Sequence, residues 1–198
     1  MEYRIKIWDV PTRLFHWSLV GLFAVMWYTG EGGGDLLRLH LLAGYGVAGL
    51  LAFRLLWGIV GSETAQFARF VRGPKAIIAY LRGSLPEHRM PGHNPMGALM
   101  VLALLGLLMF QVVSGLLATD VDSFLWDGPL ARRIDSELSE QITLWHKTSF
   151  NLLLLAVGLH VLAIVFYRLV KRRNLVSAML TGMQSYGAQP PELRFTPV

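Results

Sequence analysis

Apolar residues dominate four long stretches of the chain, and polar residues gather between them. The first stretch covers about 10–30. Asp9 is placed to cap a helix there, Pro11 is tolerated in its opening turn, and Glu31 with the glycines after it ends the run. The second, 36–60, closes near Gly58 and Gly61, and its length exceeds the roughly 20 residues a helix needs to cross a hydrocarbon core. The third, 96–118, carries neither charge nor histidine. The fourth, 144–170, stops at Lys171, Arg172 and Arg173. Between the second and third stretches, 62–95 reads as an amphipathic, basic connection with a short helix around 74–81 lying on the membrane surface. Another short helix is expected after Asn174, before Pro190 and Pro191 disorder the tail. No internal repeat and no long polar stretch is evident, so the pattern predicts an all-α integral membrane four-helix bundle, one domain over 1–198.

A net charge of +5 raises the question of nucleic acid, but its distribution argues for topology. Lys and Arg cluster at the N-terminus (Arg4, Lys6, Arg13), in the central connection (Arg69, Arg72, Lys75, Arg82, Arg89) and after the fourth stretch (Arg168, Lys171, Arg172, Arg173, Arg194). Residues 119–143 instead hold six acids against Arg132 and Arg133. By the positive-inside rule both termini are cytoplasmic and the acidic loop is outside, which in a bacterium places the chain in the inner membrane.

Composition agrees: 54% of residues are hydrophobic and the mean hydropathy is +0.46, too apolar for an ordinary soluble domain. The absence of cysteine excludes Cys-ligated iron–sulfur clusters, thiolate zinc, disulfides and covalently attached c-type haem. Glu2 and Asp9 near the N-terminus, with no small-residue cleavage site after them, argue against a cleaved signal peptide.

Four histidines fall inside the apolar stretches: His16 in the first, His40 in the second, His146 and His160 in the fourth. His146 and His160 are 14 residues apart, which brings them to within about 40° of one helix face and about 21 Å apart along the axis. With alternating spans, His40 and His146 share the outer depth, and His16 and His160 the inner one. Ionisable groups in a membrane are costly enough to suggest function, and paired imidazoles from facing helices suit the two axial positions of haem iron. A histidine bonded to a neighbouring helix or seated among headgroups is the plain alternative for any one of them. Zinc or copper competes less well, because each layer offers two imidazoles and no cysteine or carboxylate. The expectation is two b-type haems held without covalent attachment.

Arg54 follows His40 by 14 residues and should share the depth of His160, where a haem propionate or a bound quinone would suit it; the alternative is snorkelling to the headgroups. Arg13 is a similar case. Gly21, Gly44 and Gly158 could let a flat macrocycle approach the backbone. His88 and His93 fall in the connection and are expected to be solvated. Trp17, Trp57, Trp126 and Trp145 suit an interfacial aromatic belt.

The chain resembles the prokaryotic cytochrome b561 family, which includes the b-type cytochrome subunits of nickel-iron hydrogenases. The resemblance covers about 6–184. It rests on Ile7-Trp8-Asp9-Val10-Pro11-Thr12-Arg13-Leu14-Phe15-His16-Trp17, on His40, on Gly92-His93-Asn94-Pro95-Met96-Gly97, and on Trp145-His146 with Gly158-Leu159-His160. It implies a bundle carrying two b haems, His16 with His160 and His40 with His146 as ligands, and electron exchange with ubiquinone or menaquinone. The partner it implies is an extracytoplasmic redox protein, either a c-type cytochrome or a hydrogenase-like subunit. One branch of the family oxidises superoxide and reduces quinone; Arg38, Arg132, Arg133 and Lys147 are the cations available for such an approach. The loop acids Asp120, Asp122 and Asp127 are candidates for steering a basic partner.

Overall fold

The computed structural model describes residues 3–85, 90–122, 125–187 and 191–196. Glu2, His88, Arg89 and Pro190, each given a part in the sequence reading, lie outside the described residues. In chain order the elements are β1 (Tyr3–Lys6), α1 (Val10–Gly32), α2 (Leu36–Val60), α3 (Phe67–Phe70), α4 (Pro74–Leu81), α5 (Pro95–Leu117), α6 (Ser136–Leu169), α7 (Leu175–Thr181) and β2 (Met183–Tyr186). The chain is mostly helical, and among the described residues three helices, α2, α5 and α6, are long and apolar enough to cross a membrane. α1 is as long as α5, at 23 residues, but the polar side chains of Arg13, His16 and Glu31 dilute its hydropathy and it is not among the three. All four long helices expose large apolar side chains, such as Tyr28 on α1, Ile59 on α2, Leu99 on α5 and Leu162 on α6. In water such a surface would be a liability; against lipid it is expected.

Local chemistry explains where the helices start. Asp9 caps α1, its Oδ1 accepting from the Thr12 N–H at 2.8 Å. Asn94 caps α5 by accepting from the Gly97 N–H at 2.8 Å, with Pro95 as the first helical residue. α6 begins eight residues before the expected 144, because Asp135 accepts from the Glu137 N–H at 2.9 Å and two polar side chains dock this opening on the end of α5. Ser139 Oγ donates to Leu117 O at 2.7 Å, and Thr143 Oγ1 accepts from Thr119 N at 2.9 Å. Hydropathy cannot register polar turns that are buried by their hydrogen bonds.

The chain divides into two compact units, and each long helix contributes to both. One unit comprises 1–16, 53–103 and 158–198. Its termini are knitted together. β1 pairs antiparallel with β2, Tyr3 opposite Tyr186, and Ile7 and Trp8 pack with Ala178 and Tyr186. Gly182 ends α7 at φ 80°, and a Cβ there would lie 2.7 Å from the Trp8 carbonyl oxygen, so both conformation and space require glycine. Neither strand is legible in the apolar pattern. The tail beyond Pro191, expected to be disordered, is held over 191–196: Glu63 N donates to Arg194 O at 3.0 Å, and Thr196 N to Ser62 Oγ at 3.2 Å. The short helices at 74–81 and after Asn174 are present, the second capped by Asn174.

The other unit comprises 17–52 and 104–157. Val47, Leu51, Leu108 and Leu153 form its core, with Phe23, Met26 and Phe150 packed against them.

Candidate functional site

In the unit formed by 17–52 and 104–157, α2 and α6 bring His40 and His146 together, with ring centroids 6.3 Å apart and planes at 82°. Their hydrogen bonds fix which nitrogen of each ring is free. His40 Nδ1 lies 3.1 Å from the Met26 carbonyl oxygen and 3.1 Å from Thr29 Oγ1. A carbonyl only accepts, so Nδ1 carries the proton and Nε2 the lone pair. The Thr29 hydroxyl donates one turn back to Val25 O at 2.7 Å, leaving its oxygen to accept from the ring. His146 repeats the arrangement on another pair of helices. Its Nδ1 is 2.9 Å from Ser114 Oγ, whose own proton goes to Phe110 O at 2.6 Å. His40 therefore keeps Nε2 unprotonated, and the Ser114 oxygen, donating at 2.6 Å to Phe110 O, suits the same tautomer in His146.

Two glycines admit these rings to the neighbouring backbone. A Cβ on Gly30 would stand 3.2 Å from His40 Cε1, and one on Gly115 would stand 3.1 Å from His146 Cε1, both tighter than ordinary contact. Each glycine directly follows its hydroxyl residue, so Thr29-Gly30 and Ser114-Gly115 are equivalent devices: one residue polarises a ring and the next makes room for it. Sequence reasoning missed both pairs. A hydroxyl-glycine dipeptide inside an apolar run was the available signal. Beside the two imidazoles lies a cavity of about 590 Å³, walled by Phe23, Trp27, Leu108 and Phe150 among others, within the size range of ligand sites. Gly44 also lines it, whereas a Cβ on Gly21 or Gly158 would meet nothing within 4 Å.

The unit containing both termini holds the other pair. His16 on α1 and His160 on α6 lie close enough to interact electrostatically. Arg54 is 3% exposed, so it is enclosed by protein rather than reaching for headgroups. Its guanidinium carbon sits 4.6 Å from the Phe67 ring centroid, and Nη1 is buried with no hydrogen-bond partner. A buried cationic donor in that condition calls for an anionic acceptor. Arg13 Nη1 donates to Leu180 O at 2.7 Å in the last turn of α7, and its Nε is buried with no hydrogen-bond partner.

His93, expected to be solvated, is not. Its ring packs 4.8 Å from Trp8 and 4.4 Å from Phe70, centroid to centroid, and its Nδ1 is buried without a partner. Burial, reinforced by the positive charge of Arg54, pushes it down to about 3, so it is neutral. Nearby, Asp9 Oδ2 accepts from Trp57 Nε1 at 3.0 Å. Burial alone would raise the Asp9 carboxyl, but donors from Ser62, Thr12 and Trp57 outweigh it and hold the group below its usual range.

Two acids of the loop, Asp120 and Asp127, are tied into its backbone. Asp120, 7% exposed, accepts from the Leu125 and Trp126 N–H groups, at 3.0 and 3.3 Å. Asp127 accepts from Thr119 Oγ1 at 2.7 Å and from Asp120 N at 3.1 Å. Asp122 is exposed and ion-pairs with Lys147 at 3.2 Å. Among the described residues no group of three or more His, Cys, Asp or Glu is arranged to hold a metal ion.

Haem fits this donor set. Two imidazoles stand with ring centroids 6.3 Å apart, and hydrogen bonds engage the Nδ1 of each, which leaves Nε2 for a metal. The apolar cavity beside them suits a macrocycle, and the buried Nη1 of Arg54, which makes no hydrogen bond, suits a carboxylate. Long apolar helices carrying facing neutral imidazoles define the class of helical membrane haem proteins. The chain matches the family model for prokaryotic cytochrome b561 over residues 7–182, and it belongs to that family, membrane proteins that transfer electrons on b-type haem. No curated protein and no solved structure matches it.

Proposed function

We propose that the chain carries single electrons across a bacterial inner membrane on two b-type haems, between the quinone pool and an extracytoplasmic redox partner such as a c-type cytochrome. When bound, haem supplies a one-electron iron couple at each of two depths. His40 and His146 hold one group through Nε2, and His16 with His160 hold the other. Arg54 meets an inner propionate with its buried guanidinium. Phe23, Trp27 and Phe150 wall the outer site and keep water from the ligand bonds.

In this reading α1 is the fourth span of a bundle. Its 23 residues make a helix of about 34 Å, enough for a hydrocarbon core of about 30 Å. Both termini and the 62–95 connection, rich in Lys and Arg, face the cytoplasm.

The observation that carries the reading is the matched pair of imidazoles, each with its Nδ1 proton bound and its Nε2 free. The test is the haem content of the detergent-purified chain by pyridine haemochrome, followed by reduction with quinol. Two b haems, falling to one in His146→Ala and to one in His160→Ala, are expected. No haem after expression with ample haem would overturn the assignment, and haem that quinol does not reduce would remove quinone from it.

A further inference from the structure

The two hydroxyls behind His40 and His146 do more than complete a hydrogen-bond inventory. We propose that Ser114 and Thr29 are positioning residues that set the reduction potential of the haem held by His146 and His40, with Ser114 the stronger determinant. The inference rests on the haem reading above and deepens it.

Each hydroxyl proton stays within its own helix. Thr29 donates to Val25 O and Ser114 to Phe110 O, each to the carbonyl one turn earlier in its own helix. With its proton so committed, neither side chain can donate to the ring, and each offers only an oxygen lone pair. A neutral ring that holds iron through Nε2 presents N–H at Nδ1, and these oxygens are placed to accept it. An acceptor on that N–H pushes electron density through the ring to Nε2, makes the ligand more basic and favours the oxidised iron. Thr29 is itself wholly buried and Ser114 nearly so, which removes the competition that water would offer.

The two ligands differ in how replaceable their acceptors are. His40 Nδ1 has the Met26 carbonyl as well as Thr29, each at 3.1 Å, and no side-chain substitution removes a carbonyl. Among the described residues His146 Nδ1 has Ser114 alone, at the shorter 2.9 Å. Removing Ser114 Oγ therefore leaves a buried N–H without an acceptor, whereas removing Thr29 Oγ1 does not. Gln111 turns its amide nitrogen toward this stretch, donating to the His146 carbonyl and to Ser149 Oγ.

The experiment is a potentiometric titration of the purified holoprotein followed in the reduced α bands, with the haem in question identified as the one missing from His146→Ala. In Ser114→Ala its midpoint should rise by about tenfold in the reduction equilibrium constant, about 59 mV for one electron, while the other haem stays in place. Thr29→Val should shift the same haem in the same direction by less, and Thr29→Ser should restore it. Selective loss of that one haem from Ser114→Ala also supports the proposal, because ligands without their outer partner bind metal about 10–100-fold more weakly. An unchanged or lowered midpoint in Ser114→Ala with both haems retained overturns it, as does a larger shift in Thr29→Val than in Ser114→Ala. Should Ser114→Ala lose both haems through misfolding, the threonine series decides: a rise in Thr29→Val that Thr29→Ser reverses supports the proposal, and no rise overturns it. A wild-type protein without haem overturns the haem reading itself, an outcome distinct from all of these.

Discussion

Trp57 donates its indole N–H to Asp9 across 3.0 Å, tying the last turn of α2 to the carboxylate that caps α1. One buried side chain thus both starts a helix and anchors the last turn of another. Asp9→Ala should lower stability by about 1–2 kcal/mol for the lost cap alone, and Trp57→Phe should reproduce only the loss of the indole bond. The folded-state carboxyl is held below its ordinary range, so its contribution is fully present above the unfolded value of about 3.9 and is lost as pH falls through the folded value. Thermal unfolding in detergent from pH 6 to pH 3 should fall less steeply for Asp9→Asn than for the wild type.

Gly115 and Gly106 lie on the same helix, but only Gly115 faces an imidazole. Gly115→Val should displace His146 and reduce haem content, while Gly106→Val, whose Cβ meets nothing within 4 Å, should keep it. Equal haem content in the two variants would show that the close approach is incidental.

His93 is neutral in the folded chain because burial pushes it down to about 3, against about 6.5 when unfolded. The unfolded state binds more protons between those values, so stability is complete above about pH 6.5 and is lost progressively as pH falls toward 3. His93→Gln keeps a neutral polar side chain and removes the titration. Its melting temperature should fall less between pH 7 and pH 5 than that of the wild type. Parallel curves for the two proteins would place the acid sensitivity elsewhere.

In the acidic loop, Asp127 and Asp122 have different work. Asp127→Ala strips the acceptor from Thr119 Oγ1 and Asp120 N and should cost about 1–3 kcal/mol. Asp122→Asn breaks an exposed ion pair with Lys147 and should cost no more than about 1 kcal/mol. If the loop steers a basic partner, Asp122→Asn should slow electron transfer at low salt without changing stability. A change in rate that persists at high salt would argue against steering.

The sequence by itself determined the apolar stretches, the helix limits at 36–60 and 74–81, the cap at Asp9, the short helix after Asn174, and the candidacy of His16, His40, His146 and His160. These are local properties: a helix is written in the spacing of apolar residues and in the side chains at its ends. Only the tertiary structure decided the rest. The pairing of Tyr3–Lys6 with Met183–Tyr186 joins the two ends of the chain and leaves no local trace. His93 and Asp120 have the composition of solvated loop residues, and only the groups packed around them make one neutral and the other a scaffold. Which nitrogen of the His40 and His146 rings is engaged was settled by Met26 and Ser114 on neighbouring helices, because the position of an imidazole proton depends on which acceptor stands beside it in space.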